Sequence, residues 1–362
     1  MSDRNEILRS GLVREDIQRM REYVPGEQPR IPDLIKLNTN ENPYPPDAEV
    51  LDAIRRRIDG ELLRRYPEPT SVALRSAIGA RFGVGPEWVT CTNGSDEALT
   101  ILVRVAVPEG GWIQYPDPTY SLYTTLAEIQ GARVSAVPFD LDAHALPLDG
   151  FREDAHLTLI AHPNAPTGRA WRREELCRLA EALQGILVID QAYVDFGPDA
   201  ADDLVLRYEN VVVLRTLSKS ASLAGLRVGW VLAQPELTQQ LHKVRDSYNL
   251  DVLAQAGGLA VLEQWPRIQE KCARVVATRE RVANELQRRG WKVYPSSANF
   301  LLARPARGSA RAWLGSLREK AVLVRYFAGS RVDDCIRISI GTDAQMDRFL
   351  SVVDELDGTV TP

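Results

Sequence analysis

The sequence has little of what identifies several common classes of protein. Only four of its 362 residues are cysteines, and they lack the paired spacing of a metal site: Cys91, Cys177, Cys272 and Cys335. We therefore expect neither a metal centre nor a disulfide framework, and we predict a reducing, cytoplasmic location. The first twenty residues are charged and contain no apolar run, so we expect neither a signal peptide nor a membrane span there.

The sequence also lacks a surplus of positive charge. The formal net charge is −5 at pH 7, and no basic block dominates, so a nucleic-acid partner is not expected. The cluster Arg55-Arg56-Arg57 lies in a helical pattern and is typical of a solvated face. With 44% hydrophobic residues, the chain can bury one large core and a second, smaller one.

Short apolar runs alternate with amphipathic stretches through the middle of the chain. This alternation predicts an α/β fold, with a mostly parallel sheet covered by helices on both faces. The predicted strands are 89–91, 112–114, 133–138, 157–161, 186–190, 211–214 and 228–232. The predicted helices are 95–105, 120–130, 173–183 and 236–248.

The last third of the chain has a different pattern, which predicts a smaller α+β domain. Its predicted elements are helices over 266–289 and 344–356 and strands over 299–303, 322–326 and 335–340. We therefore predict three parts. They are an N-terminal arm over 1–45 that packs on the smaller domain or on a partner subunit, a large domain over 46–260, and a small C-terminal domain over 261–362.

Residues 216–227, Thr-Leu-Ser-Lys-Ser-Ala-Ser-Leu-Ala-Gly-Leu-Arg, form the most informative pattern. Lys219 lies in a hydroxyl-rich loop, Arg227 follows it, and Asp190 closes an apolar strand upstream. A lysine in such a loop is ordinarily a solvated surface residue, so the argument depends on the combination. A desolvated lysine forms a Schiff base, a guanidinium and hydroxyls bind phosphate, and a buried carboxylate pairs with a pyridinium nitrogen. Together they predict pyridoxal phosphate chemistry.

Three further turns are candidates for contacts with such a cofactor. Gly94, Ser95 and Asp96 mark a strand-to-helix turn whose backbone N–H groups suit an anion, although an ordinary N-cap has the same pattern. Tyr120 opens the next helix and could stack on a flat ring, although such a residue alone is more often a core aromatic. Asn164 lies in a turn with two prolines and a glycine, from which its amide could reach a ring oxygen.

Three more side chains complete the candidate set. Tyr193 follows Asp190 by three positions and could also reach the ring oxygen. Arg325 and Arg337 lie on two late predicted strands. Each arginine is either a solvated outward residue or a fork that binds an anionic substrate group, and spacing alone leaves both open.

With these motifs the chain resembles the fold-type I pyridoxal-phosphate aminotransferases, and within them it is most similar to the histidinol-phosphate aminotransferases. The resemblance runs from residues 37–44, Leu-Asn-Thr-Asn-Glu-Asn-Pro-Tyr, to residues 336–342, Ile-Arg-Ile-Ser-Ile-Gly-Thr. It implies that the large domain binds pyridoxal 5′-phosphate and that the protein is a homodimer.

The resemblance also implies a role for each matching position. Lys219 would hold the cofactor and shuttle a proton, Asp190 would face the ring nitrogen, and Tyr193 would contact the ring oxygen. The other positions that would surround the cofactor are Gly94, Ser95, Asp96, Tyr120, Asn164, Ser218 and Arg227, with Tyr66 reaching the phosphate across a dimer interface. The positions on the substrate side are Asn42, Arg325 and Arg337.

Two positions depart from the family's pattern. The family's turn is commonly Pro-Asn-Asn-Pro-Thr-Gly, and its second asparagine, which would touch the ring oxygen, is here Ala165. Either Asn164 substitutes for it or Tyr193 makes the contact alone. The usual Asp-Glu-Ala-Tyr has Gln191 in place of the acid, with no consequence that we can derive.

The reaction that the resemblance implies is a two-stage transamination from L-histidinol phosphate to a 2-oxo acid, 2-oxoglutarate, in histidine biosynthesis. Two arginines suit the doubly charged phosphate of that donor. Two neighbouring activities stay open, an aromatic amino-acid aminotransferase and a threonine-phosphate decarboxylase, because small pocket differences change discrimination only modestly. A non-catalytic binding module is disfavoured because the lysine is intact.

Overall fold

The strands and helices of the protein follow the apolar runs of its sequence closely. The computed structural model describes residues 11–20, 22–23, 26–143, 145–358 and 360. The strands are β1 Ile35–Lys36, β2 Val89–Asn93, β3 Trp112–Asp117, β4 Arg133–Pro138, β5 Leu157–Ala161, β6 Ile186–Asp190, β7 Val211–Thr216, β8 Val228–Leu232, β9 Lys292–Val293, β10 Phe300–Arg304, β11 Val322–Leu323, β12 Arg325–Tyr326 and β13 Ile336–Ser339. The helices are α1 Glu15–Arg19, α2 Ala48–Arg55, α3 Gly60–Leu63, α4 Val72–Phe82, α5 Gly94–Ala106, α6 Leu122–Gln130, α7 Arg173–Ala182, α8 Leu204–Arg207, α9 Pro235–Val244, α10 Val252–Glu263, α11 Trp265–Arg288, α12 Ala310–Glu319 and α13 Asp343–Leu356.

A large sheet with the strand order β2-β8-β7-β6-β5-β3-β4 forms the centre of the fold. Its central strands are apolar on both faces because each face is covered: Leu187 and Ile189 of β6 belong to one buried cluster, and Val188 between them belongs to the other. The predicted α/β fold with a mostly parallel sheet is confirmed.

One strand of this sheet runs against the others. β8 pairs antiparallel with both β2 and β7, whereas the remaining pairs are parallel. The loop over 217–227 therefore joins β7 to β8 at the edge where β2, β3, β5, β6 and β7 also end. Ligands of open α/β sheets bind at this carboxyl edge.

The C-terminal third forms smaller sheets, as the sequence predicts, with one correction. β12, β13, β10 and β9 make a four-stranded antiparallel sheet. The single predicted strand over 322–326 is wrong, because the chain changes partner at Val324. β11 pairs with β1 from the N-terminal segment, while β12 pairs with β13.

Helix prediction was less complete than strand prediction. The helix predicted over 236–248 ends at Val244, because Arg245 is extended at the C-cap. Helices α4, α10 and α12 had no predicted counterpart. The sequence of α10 shows why: it is apolar almost throughout, with two glycines, so no periodicity stands out. No helix within the described ranges is long and apolar enough to cross a membrane.

A buried ion network lies beside the large sheet. The side chain of Arg215, at the end of β7, is 5% exposed and is bound by Asp195 at 2.6 Å and by Asp202 at 3.0 Å. Both acids follow β6, so the guanidinium ties the segment after β6 to its neighbouring strand. A charge buried this far is tolerated only with partners.

We predict that Asp195→Ala destabilises the protein by about 3 kcal/mol, because a buried guanidinium loses one of its two partners. A matched exposed pair is Asp52 with Arg55, whose side chains are 54% and 66% exposed. Asp52→Ala should change stability by less than about 1 kcal/mol. Urea unfolding of the two variants and the wild type measures both effects, and equal stabilities would refute a structural role for the network.

Candidate active site

The two residues that carry the sequence argument meet at the carboxyl edge of the large sheet. Asp190 is the last residue of β6, and Lys219 lies in the loop that follows the adjacent β7. Tyr193 follows Asp190 by three positions, and its ring centre lies 5.7 Å from Nζ of Lys219. Nζ also donates a hydrogen bond to the carbonyl oxygen of Thr39 at 3.1 Å.

Asp190 is a buried carboxylate in need of a cation. It is 5% exposed, and burial raises its pKa to about 6. Its Oδ2 accepts a hydrogen bond from the hydroxyl of Tyr123 at 2.9 Å, and its Oδ1 accepts one from the Ala192 N–H at 3.2 Å. A protonated ring nitrogen would supply the missing positive charge, so this residue fits the pyridoxal phosphate that the resemblance implies.

The start of α5 and the loop before β8 form a cup that suits a phosphate. Gly94 has φ of +75°, and a Cβ there would lie 2.4 Å from Nη2 of Arg227, so only glycine allows this approach. Arg227 binds Oδ2 of Asp96 at 3.1 Å and Oγ of Ser218 at 3.3 Å. Ser95 lies in the first turn of α5, where backbone N–H groups have no partner within the helix.

Tyr120 lies between the cup and the buried acid. Its hydroxyl donates to Oδ1 of Asp96 at 3.2 Å. Its ring meets the rings of Tyr123 and Tyr23 edge-on, with centroids 5.7 and 6.3 Å away. Tyr23 and Tyr123 are not among the site residues predicted from the sequence, because a lone tyrosine on a helix or in a loop does not by itself indicate a functional site.

Asn164 is close to the site, but its amide is fully used within the fold. Nδ2 donates to the carbonyl of Pro118 at 3.0 Å and to Oγ1 of Thr167 at 2.9 Å, and Oδ1 accepts from Oγ1 of Thr119 at 2.7 Å. The contact of Asn164 with a ring oxygen stays a prediction. The next residue, Ala165, is buried in a small apolar cluster.

Arg325 and Arg337 lie directly opposite each other on β12 and β13. The guanidinium of Arg337 lies 5.2 Å from the ring centre of Phe300 and 5.3 Å from that of Phe327. Its Nη2 donates to the carbonyl of Asn38 at 2.8 Å, while its Nε is buried and has no partner among the described residues. Like charges directly opposite destabilise a strand pair, so an anion between the two arginines would be favourable.

One short segment contacts the lysine, the tyrosine and the arginine, and we name residues 38–42 the strap. The carbonyl of Asn38 binds Arg337, the carbonyl of Thr39 binds Lys219, and Nδ2 of Asn40 binds the hydroxyl of Tyr193 at 3.0 Å. Asn42 donates to the main-chain carbonyl of Lys219 at 3.2 Å, so its visible contact is with the backbone of the lysine loop. Its contact with substrate stays a prediction.

Tyr66 stands apart from these residues. Its side chain is 79% exposed, and its ring stacks on that of Tyr248 with centroids 4.3 Å apart. The single chain therefore presents Tyr66 to solvent, where a second copy of the protein could meet it.

The chain is similar to known proteins over nearly its whole length. The family described as aminotransferase class I and II matches residues 32–353. A histidinol-phosphate aminotransferase of a Nostoc species is 44% identical over 95% of this chain and 97% of its own, and that of Geotalea uraniireducens is 45% identical over 95% and 99%. The crystal structure of the Sinorhizobium meliloti histidinol-phosphate aminotransferase in complex with pyridoxal-5′-phosphate superposes with a TM-score of 0.85. It is 25% identical, and the match covers 95% of this chain and 98% of that one.

Asp190→Asn should stabilise the cofactor-free protein at neutral pH. The pKa of about 6 lies above the ordinary 3.8, so between these values the folded state binds more protons than the unfolded state, and stability falls as pH rises. Above pH 6 the variant should gain up to about 3 kcal/mol, and below pH 4 the gain should vanish.

Urea unfolding at several pH values checks this, and a gain that does not change with pH would contradict it. With pyridoxal phosphate added, the wild type should be more stable than Asp190→Asn, because the bound ring nitrogen pairs with the carboxylate and not with the amide.

Proposed function

The chain belongs to the aminotransferase class I and II family, and we propose that it transfers the amino group of L-histidinol phosphate to 2-oxoglutarate. It uses pyridoxal phosphate, the cofactor bound by the Sinorhizobium enzyme. The observation that carries the choice of substrate is the identity of 44–45% to histidinol-phosphate aminotransferases over nearly the whole of both chains.

Pyridoxal phosphate, when bound, supplies an electron-withdrawing ring that lets an amino group move between carbon skeletons. In our proposal Lys219 holds the cofactor and then removes the proton from the substrate carbon that bears the amino group. Asp190 keeps the ring nitrogen protonated, and Tyr193 donates to the ring oxygen. The supporting observations are the burial of Asp190 and the short distance between Lys219 and Tyr193.

The cup at the start of α5 would hold the cofactor's phosphate. Arg227, Ser218 and the N–H groups of Ser95 and Asp96 supply donors of the kind a dianion requires. The ion pair of Arg227 with Asp96 is 40% and 46% exposed, so its guanidinium is accessible to a ligand. Tyr120 would stack on the ring.

The arginine pair would bind the substrate's phosphate. An α-carboxylate carries one charge, whereas a phosphate monoester carries nearly two at neutral pH. Two arginines at paired positions of β12 and β13 suit the phosphate better, and Nε of Arg337, which has no partner among the described residues, is a donor for it. This argument favours a phosphorylated amino alcohol over an ordinary amino acid.

We propose further that the protein is a cytoplasmic homodimer in which Tyr66 reaches the phosphate of the partner's cofactor. The 79% exposure of Tyr66 supports a role between chains, because it leaves the side chain accessible to a second copy of the protein. The four cysteines are free, which supports a reducing compartment.

A half-reaction measured by absorbance tests the proposed substrate. L-histidinol phosphate, L-phenylalanine and L-threonine phosphate are each added to the yellow protein without a 2-oxo acid. We expect the visible band to disappear at the lowest concentration with L-histidinol phosphate. A preference for phenylalanine would make the protein an aromatic aminotransferase, and carbon dioxide release from threonine phosphate would make it a decarboxylase.

Lys219→Ala should abolish turnover, while Lys243→Ala, which removes a lysine on the outer surface of α9, should not.

Tyr66→Phe should weaken pyridoxal phosphate binding about tenfold or more, since a hydrogen bond to a charged group is lost. Equilibrium dialysis measures the affinity, and sedimentation measures the oligomeric state. Tyr248→Phe is the matched control, because it removes a hydroxyl from the stacked neighbour without touching the proposed contact. A monomer that binds the cofactor with full affinity would refute the role of Tyr66.

A further inference from the structure

The hydroxyl of Tyr193 is held by an asparagine from the N-terminal segment. Nδ2 of Asn40 donates to it at 3.0 Å, across 153 positions of sequence. A tyrosine hydroxyl has one proton to donate and can accept from others. Because Asn40 donates, the oxygen of Tyr193 acts as acceptor in this bond, and its own proton is left for a different partner.

The orientation of the Asn40 amide follows from its other neighbour. Oγ of Ser339 accepts a hydrogen bond from the backbone N–H of Asn40 at 2.9 Å and donates its own proton to Oδ1 of Asn40 at 2.8 Å. With Oδ1 bound to Ser339, the amide nitrogen faces Tyr193. In this orientation Asn40 is the donor to Tyr193 and the acceptor from Ser339.

Asn40 cannot turn away from this position easily. It is 1% exposed, and its carbonyl accepts a bond from Nδ2 of Asn299 at 2.9 Å. Its φ of +56° is in the left-handed region, which asparagine tolerates better than most residues. Every polar group of Asn40 has a partner, and the side chain is fixed by the small sheet on one side and Tyr193 on the other.

The turn over 162–168 offers no second side-chain donor to the cofactor's ring oxygen beside Tyr193. The amide of Asn164 is used within the fold by Pro118, Thr119 and Thr167. Ala165 has no polar side-chain atom. The direction of a single hydroxyl proton therefore decides whether that oxygen receives a side-chain hydrogen bond from this part of the site.

We propose that Asn40 is a positioning residue that directs the proton of Tyr193 toward the ring oxygen of the bound cofactor. The inference depends on the cofactor of the proposed function but not on the identity of the amino donor. The strap would then set the direction of a proton in the site as well as contact both sheets. A hydrogen bond to the ring oxygen stabilises its anionic form and lowers the pKa of the cofactor's proton.

The test is a double-mutant cycle read by the absorbance of the bound cofactor. The pH midpoint of the visible spectral change is measured for the wild type, Asn40→Gly, Tyr193→Phe and the double variant. Asn40→Gly keeps the left-handed backbone and adds no charge. We expect it to raise the midpoint by about 0.5–1 pH unit in the presence of Tyr193 and to leave it unchanged in the Tyr193→Phe background.

The other groups that face Tyr193 are the same in all four proteins and cancel in the cycle. They are Lys219, Arg337, Tyr120 and Tyr123. Asn210→Gly is a control for general loosening, because it removes an asparagine whose side chain binds the carbonyls of Ala180 and Leu183 before β7 begins. It should leave the midpoint where it is in the wild type.

If Asn40→Gly gives no folded protein, Asn40→Asp in both backgrounds replaces it. The added charge then contributes equally to both, and only the directing effect differs. Equal shifts in the two backgrounds, or no shift in either, would overturn the inference while leaving the proposed function intact. A wild-type protein that gains no visible band with pyridoxal phosphate would overturn both.

Discussion

The positions of Asp190, Lys219 and Arg227 depend on the direction in which the strands of one sheet run. The parallel strands end at a common edge, and Asp190 is the last residue of one of them. Because β8 runs the other way, the chain turns back into the sheet at that edge instead of crossing to the opposite one. The loop that carries Lys219 and Arg227 therefore lies at the edge where Asp190 ends β6. A buried carboxylate without a positive partner costs free energy. A cationic ring bound at this edge would remove that cost.

The strap couples this edge to the four-stranded sheet. Three of its residues, Asn38, Thr39 and Asn40, bind Arg337 of that sheet and Lys219 and Tyr193 beside the large sheet, through two carbonyls and one amide. These three side chains therefore share a single piece of backbone as their reference. A shift of that backbone by a fraction of an ångström would move Arg337, Lys219 and Tyr193 together, which keeps their mutual geometry.

The sequence predicted those parts of the fold whose causes are local. β5 and β6 were predicted to the residue, because each is an apolar run that ends at polar residues. The place of Asp190 at the end of β6 follows from the same apolar run, whereas the roles of Asp190 and Lys219 stay predictions. The strand over 322–326 was wrong because pairing partners, not propensity, decide where it divides. Asn40 escaped notice because its partners lie 153 and 299 positions away, and the sequence could not tell that the amide of Asn164 was already occupied.

The pairing of the chain's beginning with its end has a consequence for synthesis. Asn40 leaves the ribosome early, but Ser339, which fixes its amide, follows 299 residues later. At ordinary translation rates that interval is roughly 15–60 s. The strands of the large sheet emerge during this interval and can pair with one another, whereas β1 cannot pair until β11 has been made. The contacts of Asn40 with Ser339 are thus completed last, after nearly the whole polypeptide has been made, so the strap can take its place only once β13 exists.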